Sequence, residues 1–412
     1  MSTPRVAFFP DCYLETNGVA RTARAVEAYA RRHEFPFLCV HAGSTTRMVD
    51  VGQDEGGRLE LRRSPIGFAV EHDLTYDLMF SRHYRLAVNA VRRFRPDVLH
   101  VTGPHDVGQL GAYIGHYLHI PIVGSWHTNV HEFASRRALK HLSWLPVSRQ
   151  VAFRGWVERL VLSATLQFYR IPRVVLAPNE EIVDLLHRRT RRPAHLMMRG
   201  VDTDLFAPTH RAREDDVVQI GFVGRLSPEK SVRRLAAVAQ ALVADGRPFR
   251  FVIVGEGSER GWLEKNVAQA QFRGVLVGEA LSRAYADMDL FVFPSETETF
   301  GNVLLEAMAS GVPVVAMAHG GPRFIVADGV SGVMARDERD LVEATVSLVH
   351  DAARRARMAR AARLQAEATS WEKIGGRLYE VYEEAAAMRR PALPDAGGAA
   401  LAGGAGVEPR SL

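Results

Sequence analysis

The 412-residue sequence lacks several features that define secreted, zinc-binding and membrane-spanning proteins. Cys12 and Cys39 are the only cysteines, and neither belongs to a paired-thiol or cysteine–histidine pattern. This argues against a disulfide framework and against a zinc site. No apolar run is long enough to span a membrane, and the first residues pass into a strand without an apolar signal core. We therefore expect a soluble protein of the reducing cytoplasm.

Strong charge of one sign and the three-glycine dinucleotide fingerprint are also missing. The net charge of +5 and the isoelectric point near 9.3 are modest. Such a charge favours anionic substrates or an anionic membrane surface, and we expect no nucleic-acid partner. Asp202 and Asp204 match the DxD metal-binding triplet, but they lie in a predicted linker. Capping a turn is the simpler role there.

The most informative stretch is predicted to form a strand, a polar turn, a helix and a second strand. Residues 290–293 and 313–317 are short apolar runs of the kind that parallel sheets bury. The turn carries Glu298, and the helix predicted to begin near Gly301 carries Glu306 into the same crevice. Free amides at this helix start suit a phosphate or an oxyanion. The alternative is that Glu298 caps the helix and Glu306 is an ordinary helix-surface residue.

The same alternation of apolar strands and helices extends along the chain, which predicts an α/β fold. Residues 43–70 are expected to form loops or a short hairpin. A charged linker near residue 206 separates two halves, and the Gly-, Ala- and Pro-rich tail is predicted to be disordered. The predicted strands are residues 5–9, 35–40, 97–101, 122–126, 174–178, 219–225, 251–254, 274–279, 290–293 and 313–317.

Several candidate site residues lie where predicted strands end. His127 follows residues 122–126, although a lone histidine is more often structural. Arg225 and Lys230 flank a turn that leads into a helix start, so both cations and free amides can reach a diphosphate. The alternative is that both are surface charges beside a helix-start signal. Gly18, after the first strand, is either a ligand-contacting glycine or part of a helix start.

Residues 136–159 are basic and amphipathic, with aromatic rings among the arginines. Such a segment suits the surface of an anionic bilayer. A solvated helix face packed on a core explains the same composition.

Four ordered motifs resemble those of the retaining glycosyltransferases of family 4. They are Gly224-Arg-Leu-Ser-Pro-Glu-Lys230, Gly255-Glu-Gly257, the segment from Glu298 to Glu306, and Gly320-Gly-Pro-Arg323. The resemblance covers about residues 5–388 and implies the GT-B architecture, in which two Rossmann-like domains face a central cleft.

The resemblance implies the division of the chain. We expect an acceptor-binding domain over 1–205, a nucleotide-sugar-binding domain over 206–370, a helix over 371–390 that crosses back to the first domain, and a disordered tail over 391–412. The runs Asn17-Gly-Val19, His127-Thr-Asn129 and Arg199-Gly-Val-Asp-Thr203 resemble the bacterial branch of mannosyl-, glucosyl- and sulfoquinovosyl-type enzymes.

The resemblance also implies four catalytic residues. Arg225 and Lys230 would neutralise the donor diphosphate. Glu298 would lie beside the transferred sugar, and His127 looks like the family histidine at the reacting sugar.

A further set of residues would bind the donor. Gly18 would bring its amide near the diphosphate, Glu306 would hold the ribose hydroxyls, and the nucleotide base would rest against the loop after Val277. Gly255 belongs to a donor-binding motif. Backbone amides of Phe300, Gly301 and Asn302 would bind sugar hydroxyls.

The implied reaction transfers a hexose from GDP-mannose or a UDP-hexose to an acceptor hydroxyl, for which a membrane lipid or glycolipid at the inner membrane face is a candidate. Attack would come from the same face as departure. Because fixed cations and amides stabilise the diphosphate, neither a metal nor a cofactor is expected. The alternatives are a nucleotide-sugar epimerase on the same fold and a non-catalytic nucleotide-sugar-binding subunit.

Overall fold

In a computed structural model the chain forms two α/β halves. One half is built on an eight-stranded sheet and the other on a six-stranded sheet. The described residues are 3–15, 18–52, 56–64, 68–71, 74–77, 79–127, 147–267, 269–296, 298 and 300–388. The predicted tail, 391–412, and Asn17 lie outside these ranges.

The N-terminal half holds the larger sheet and a small hairpin. Its strands are β1 (Val6–Phe9), β2 (Phe37–Gly43), β3 (Arg47–Gly52), β4 (Gly56–Arg62), β5 (Phe68–Glu71), β6 (Leu74–Tyr76), β7 (Val98–Val101), β8 (Ile122–Ser125), β9 (Val174–Ala177) and β10 (Ala194–Leu196). The sheet order is β10-β9-β8-β7-β1-β2-β4-β3, and β5 pairs with β6. Every neighbouring pair in the sheet is parallel except β3 with β4.

The prediction for residues 43–70 was incomplete, because β3 and β4 extend the main sheet. β4 contains only two apolar side chains, Leu59 and Leu61, and both are buried. A strand with so few apolar residues lacks the continuous run that identifies a buried parallel strand in the sequence.

Helices cover both faces of this sheet. They are α1 (Gly18–Arg32), α2 (Tyr84–Phe94), α3 (Asp106–Tyr117), α4 (Val147–Phe168) and α5 (Glu180–Thr190). None of the described helices in either half combines the length and apolar character that crossing a bilayer requires.

The C-terminal half holds a fully parallel sheet in the order β13-β12-β11-β14-β15-β16. Its strands are β11 (Val218–Val223), β12 (Phe249–Val254), β13 (Ala270–Phe272), β14 (Leu290–Phe293), β15 (Val314–Met317) and β16 (Gly332–Ala335). Its helices are α6 (Arg234–Asp245), α7 (Arg260–Asn266), α8 (Gly278–Ala286), α9 (Asn302–Ala309), α10 (Glu338–His350) and α11 (Ala352–Ala368).

The strand predicted over 274–279 is wrong, because the strand is β13 and ends at Phe272. Gly274 has a backbone φ of +66° and turns the chain. Val275 and Val277 are exposed, at 69% and 72%. These valines form an apolar run without a sheet to bury it, which explains the misplaced prediction.

The last described helix, α12 (Trp371–Ala387), returns to the N-terminal half. Val201 in the linker forms an isolated bridge with Ser370 just before the helix. Leu378 and Tyr382 then pack in the same core cluster as Phe8 and Val123 of the first sheet. This apolar contact ties α12 to the first sheet.

The turn that follows β12 supports the turn that follows β11. The amide of Gly224 donates to the Val254 carbonyl at 3.0 Å, and the amide of Leu226 donates to the Glu256 carbonyl at 2.9 Å. Gly255 has a φ of +135°, and a Cβ there would lie 1.9 Å from the Gly224 carbonyl oxygen. Glycine at position 255 therefore allows the two turns to touch.

We expect Gly255→Ala to lower the free energy of unfolding by about 2 kcal/mol or more, because the added methyl group meets backbone in a left-handed conformation. Thermal unfolding measures the change. Gly261→Ala is the matched control, since a Cβ at exposed Gly261 meets no atom within 4 Å. An unchanged melting midpoint for Gly255→Ala would contradict the described packing.

Candidate active site

The carboxyl ends of the two sheets face each other across a cleft. Arg21, in the first turns of α1, places Nη1 2.5 Å from Oε1 of Glu306 in α9 of the other half. At the same junction, a Cβ on Gly18 would lie 3.0 Å from Arg199 Nη1 and 3.2 Å from Asn302 Nδ2. Crevices at the carboxyl ends of parallel strands are where α/β sheets bind ligands.

Arg225 and Lys230 lie on the turn after β11, but they differ in their partners. The Lys230 ammonium contacts the Glu298 carboxylate, and both side chains are largely buried. Arg225 has 62% of its side chain exposed and lies 3.9 Å from Glu229. Gly301, which has no side chain, is the N-cap of α9. The hydrogen bond that the structure describes for the Glu298 side chain is with Lys230 and not with an amide of α9.

Glu306 is buried rather than exposed on the surface of α9. Besides its contact with Arg21, it accepts a hydrogen bond from Tyr285 Oη at 2.9 Å. Burial raises the pKa of Glu306, and Arg21 and Tyr285 only partly oppose the shift. The carboxylate is therefore held in the cleft at a cost to its own ionised form.

His127 lies two residues beyond β8 and is 8% exposed. Its Nε2 lies 2.7 Å from Ser125 Oγ, and its carbonyl accepts a hydrogen bond from Arg199 Nη2 at 2.9 Å. Burial, with smaller effects of Arg199 and His100, lowers the pKa of His127 well below 6.5. The imidazole is therefore neutral at pH 7.

The other predicted donor-binding residues lie at or just before the starts of two helices, α8 and α9. Val277 is the exposed residue immediately before α8. Phe300 is buried, and the Arg199 guanidinium carbon lies 5.6 Å from its ring centroid. Gly301 has a φ of +104°, and Asn302 begins α9 with a buried Oδ1 that has no hydrogen-bond partner among the described residues.

The cleft carries an excess of positive charge. Its cationic side chains are Arg21, Arg199, Arg225 and Lys230, and its carboxylates are Glu298 and Glu306. Cations beside the free amides of a helix start suit an anionic group such as a diphosphate.

The described part of the chain contains no group of three or more His, Cys, Asp or Glu side chains that could hold a metal ion. Asp202, the first carboxylate of the DxD triplet, accepts hydrogen bonds from the amides of Asp204 and Leu205. The triplet therefore has the capping geometry expected of a turn.

Two protein-family models match this chain, one in each half. The family described as Glycosyltransferase Family 4 matches residues 16–205, and the family described as Glycosyl transferases group 1 matches 218–351. A GDP-mannose-dependent alpha-mannosyltransferase of Mycobacterium tuberculosis is 35% identical over 392 residues, which cover 92% of this chain and 96% of that protein. The chain belongs to glycosyltransferase family 4.

Two further relatives support the branch expected from the sequence. The glycosyltransferase is 28% identical to a GDP-mannose-dependent alpha-mannosyltransferase of Corynebacterium glutamicum, over 93% of this chain and 90% of that protein. It is 33% identical to the sulfoquinovosyl transferase SQD2 of Arabidopsis thaliana, over 69% of this chain and 56% of that protein. The chain is thus a nucleotide-sugar glycosyltransferase.

Solved structures confirm the predicted GT-B fold of this glycosyltransferase. Sucrose-phosphate synthase from Thermosynechococcus elongatus matches with a TM-score of 0.68 and 19% identity, over 92% of this chain and 98% of that one. Anabaena HepE, solved in complex with UDP and glucose, matches with a TM-score of 0.65 and 16% identity, over 92% and 99%. At these identities the likeness concerns the fold alone.

Sequence reasoning missed two cleft side chains of the glycosyltransferase, Arg21 and Arg199. Arg199 is 8% exposed, and burial lowers its pKa to about 10, so it stays charged at pH 7. Its Nε has no hydrogen-bond partner within the described ranges. Arg199 stood in a run that indicated the family branch, but nothing in the run places its side chain against the opposite half.

Replacing Glu306 by glutamine tests whether this residue serves the site rather than stability. Because the pKa of Glu306 is higher in the folded protein than its usual value of 4.5, protonated Glu306 favours the folded state. This contribution to the free energy of unfolding is complete below pH 4.5 and is lost as the pH rises through the folded-state pKa. Glutamine mimics the protonated form. We expect Glu306→Gln to be at least as stable as the wild type in urea unfolding at pH 7, with the difference vanishing near pH 4.

Glu27→Gln is the matched control for this measurement. Burial alone would raise the pKa of Glu27, but hydrogen bonds from Arg58, Tyr13 and Arg31 outweigh it and lower the pKa. Glu27→Gln should therefore lose about 1.5–3 kcal/mol at pH 7, the usual size for hydrogen bonds to a charged group. An equal loss in Glu306→Gln would contradict the proposed difference.

Proposed function

We propose that this glycosyltransferase moves a hexosyl group from a nucleotide-diphosphate sugar to an acceptor hydroxyl with retention of anomeric configuration. The observation that carries the proposal is a single cleft in which Glu306 and Asn302 of one half lie against Arg21 and Gly18 of the other. GDP-mannose is the donor we favour, because relatives that match nearly the whole chain are described as GDP-mannose-dependent.

In this proposal Arg225 and Lys230 stabilise the negative charge that grows on the departing diphosphate. The exposed side chain of Arg225, only loosely paired with Glu229, can turn toward a ligand at little cost. Lys230 is already oriented by Glu298, so less side-chain entropy is lost when a phosphate binds.

Polar groups around the cations would hold the rest of the donor. Glu306 would accept hydrogen bonds from the ribose hydroxyls, and the amide of Gly18 would reach the diphosphate from the opposite half. The backbone of Phe300, Gly301 and Asn302 would bind sugar hydroxyls at the start of α9. Asn302 Oδ1, which has no partner in the described part of the chain, supports this placement, since buried polar atoms normally have a partner.

The nucleotide base would rest against the exposed side chain of Val277. The loop predicted after Val277 is wrong, because α8 begins at Gly278, so the base would meet the start of this helix. An exposed apolar side chain next to a helix start can cover one face of a planar ring. Gly255 would act indirectly, because it positions the turn that carries Arg225.

Retention would follow from attack on the same face as departure, with the leaving phosphate accepting the proton of the acceptor hydroxyl. Glu298 lies beside the expected sugar site, but its carboxylate is neutralised by Lys230. An ion-paired carboxylate is a weakened nucleophile, which favours this route over a covalent glycosyl intermediate. His127, neutral at pH 7, would contact the reacting sugar.

We further propose that transfer needs neither a divalent metal nor another cofactor, since cationic side chains and amides supply the charge that a metal would bring. EDTA should leave the rate unchanged. Loss of transfer in EDTA and recovery with Mg²⁺ would contradict this.

A lipid acceptor at an anionic membrane surface completes the proposal. In α4, Trp156 and Leu160 are 54% and 55% exposed, and Arg159 is exposed beside them. Exposed aromatic and basic side chains on one helix suit a bilayer interface. Residues 136–146 of the predicted amphipathic segment lie outside the described residues.

We expect Arg225→Ala and Lys230→Ala each to lower kcat/KM by about 10²-fold, the usual loss when one transition-state partner is removed. Steady-state transfer assays measure the change. Arg339→Ala is the matched control, because the Arg339 side chain is 80% exposed on α10. Rates within a few-fold of the wild type for both cleft variants would overturn their proposed role.

The decisive experiment incubates the enzyme with GDP-mannose or UDP-hexoses, with and without lipid and small-molecule acceptors, and analyses the products by mass spectrometry. We expect mannosylated product from GDP-mannose, in the α configuration by NMR. Conversion of the donor without an acceptor would instead indicate an epimerase. Donor binding by thermal shift without turnover of any acceptor would indicate a non-catalytic binding subunit.

Vesicle sedimentation tests the membrane contact. We expect greater recovery with vesicles containing anionic lipid than with neutral vesicles, and a loss of this preference in Trp156→Ser with Leu160→Ser. Equal recovery with both vesicle types would discard membrane binding while leaving the sugar-transfer proposal intact.

A further inference from the structure

A line of buried polar groups connects the C-terminal helix to His127. Tyr382 Oη lies 2.7 Å from His100 Nδ1, and His100 Nε2 lies 2.9 Å from Ser125 Oγ. Ser125 Oγ in turn lies 2.7 Å from His127 Nε2. Tyr382 and His100 are fully buried, and Ser125 is 1% exposed. The four side chains therefore form one hydrogen-bonded network with little access to water.

Strand register explains why these residues meet. In the parallel pair β7 and β8, His100 lies opposite Val123. Because side chains alternate along a strand, Ser125 faces the same side of the sheet as Val123 and His100. α12 covers this face, with Tyr382 in the same core cluster as Val123. The returning helix thus delivers a hydroxyl group beneath the strand end that carries His127.

Both histidines in the line are neutral at pH 7. Burial lowers the pKa of His100 to about 3 and that of His127 well below 6.5. A neutral imidazole has one nitrogen that donates and one that accepts. If one nitrogen of the His100 ring accepts a hydrogen bond, the other nitrogen must therefore donate one.

Tyr382 sets the direction. Its buried hydroxyl has no other hydrogen-bond partner among the described residues, so its hydrogen is satisfied only when it is donated to His100 Nδ1. His100 Nε2 then carries the hydrogen and donates to Ser125 Oγ. The Ser125 hydroxyl donates to His127 Nε2, which must accept. In the opposite direction the Tyr382 oxygen would accept from His100, and the hydrogen of this buried hydroxyl would have no acceptor among the described residues; buried donors without an acceptor are rare.

We propose that Tyr382, His100 and Ser125 are positioning residues that fix His127 in the tautomer with hydrogen on Nδ1. In this state His127 donates a hydrogen bond from Nδ1 to an oxygen of the sugar. It does not accept the proton of the acceptor hydroxyl, because Nε2 is occupied by Ser125. The inference rests on the proposed function for the task of His127, but the tautomer itself is independent of activity.

The tautomer is measured directly. Protein labelled with ¹⁵N-histidine is studied by long-range ¹H–¹⁵N correlation at pH 7, and the His127 signals are those missing from His127→Gln. We expect a pyrrole-type Nδ1 and a pyridine-type Nε2 in the wild type. The reverse assignment would overturn the proposal, whether or not any sugar donor is turned over.

Removing the Tyr382 hydroxyl tests the relay, by which we mean the hydrogen-bonded line from Tyr382 through His100 and Ser125 to His127. In Tyr382→Phe we expect the His127 signals to shift toward a mixture of tautomers and kcat to fall by about tenfold, the equivalent of one hydrogen bond. The donor KM should stay within about twofold of the wild type, because no group that binds the donor is removed. Unchanged His127 signals in Tyr382→Phe would overturn the role of Tyr382.

Tyr379→Phe is the matched control on the same helix. Tyr379 Oη is buried and has no hydrogen-bond partner among the described residues. Tyr379→Phe should therefore keep both the tautomer and kcat of the wild type. If both variants lowered kcat equally with the His127 signals unchanged, the effect would come from helix packing and the relay would be refuted. Ser125→Ala removes the hydroxyl that contacts His127 Nε2. It should give a mixture of His127 tautomers even if Tyr382→Phe unfolds.

Discussion

Parallel strand pairing is the constraint on which the rest of this enzyme depends. Because neighbouring strands run in one direction, their carboxyl ends lie at a single edge of each sheet. Loops that follow β1, β8, β11 and β14 therefore deliver Gly18, His127, Arg225 and Glu298 to edges that face each other. Residues far apart in the sequence thereby become neighbours.

The two halves are held together by contacts of different kinds. Apolar side chains fix α12 to the first sheet, where Leu378 and Tyr382 are buried. Across the cleft the contacts are charged and polar, such as Arg21 with Glu306. Burial of apolar side chains stabilises the first contact, whereas Arg21 keeps 46% of its side chain exposed beside the buried Glu306. In the proposed function, a donor hydroxyl that binds Glu306 therefore displaces a guanidinium that water can solvate.

The site also has a cost in stability that the fold must offset. Burial disfavours the ionised form of Glu306, and Arg199 is a guanidinium with little access to water. Asn302 keeps a buried oxygen without a partner among the described residues. Such unsatisfied groups are common where a ligand supplies the missing interactions, and they explain why sites are less stable than cores.

The sequence by itself determined the α/β fold and the family, and it indicated Arg225, Lys230 and Glu306 as site candidates, because apolar periodicity and short motifs are local properties of the chain. The sequence analysis placed β13 in the wrong residues and did not predict the edge strands β3, β10 and β16. At the edges of the two sheets, apolar runs in the sequence and strands in the structure do not coincide. Only the tertiary structure decided that Arg21 crosses to Glu306 and that Tyr382 lies beneath His127. Such contacts depend on how two sheets and a returning helix are oriented, and no spacing in the sequence encodes that orientation.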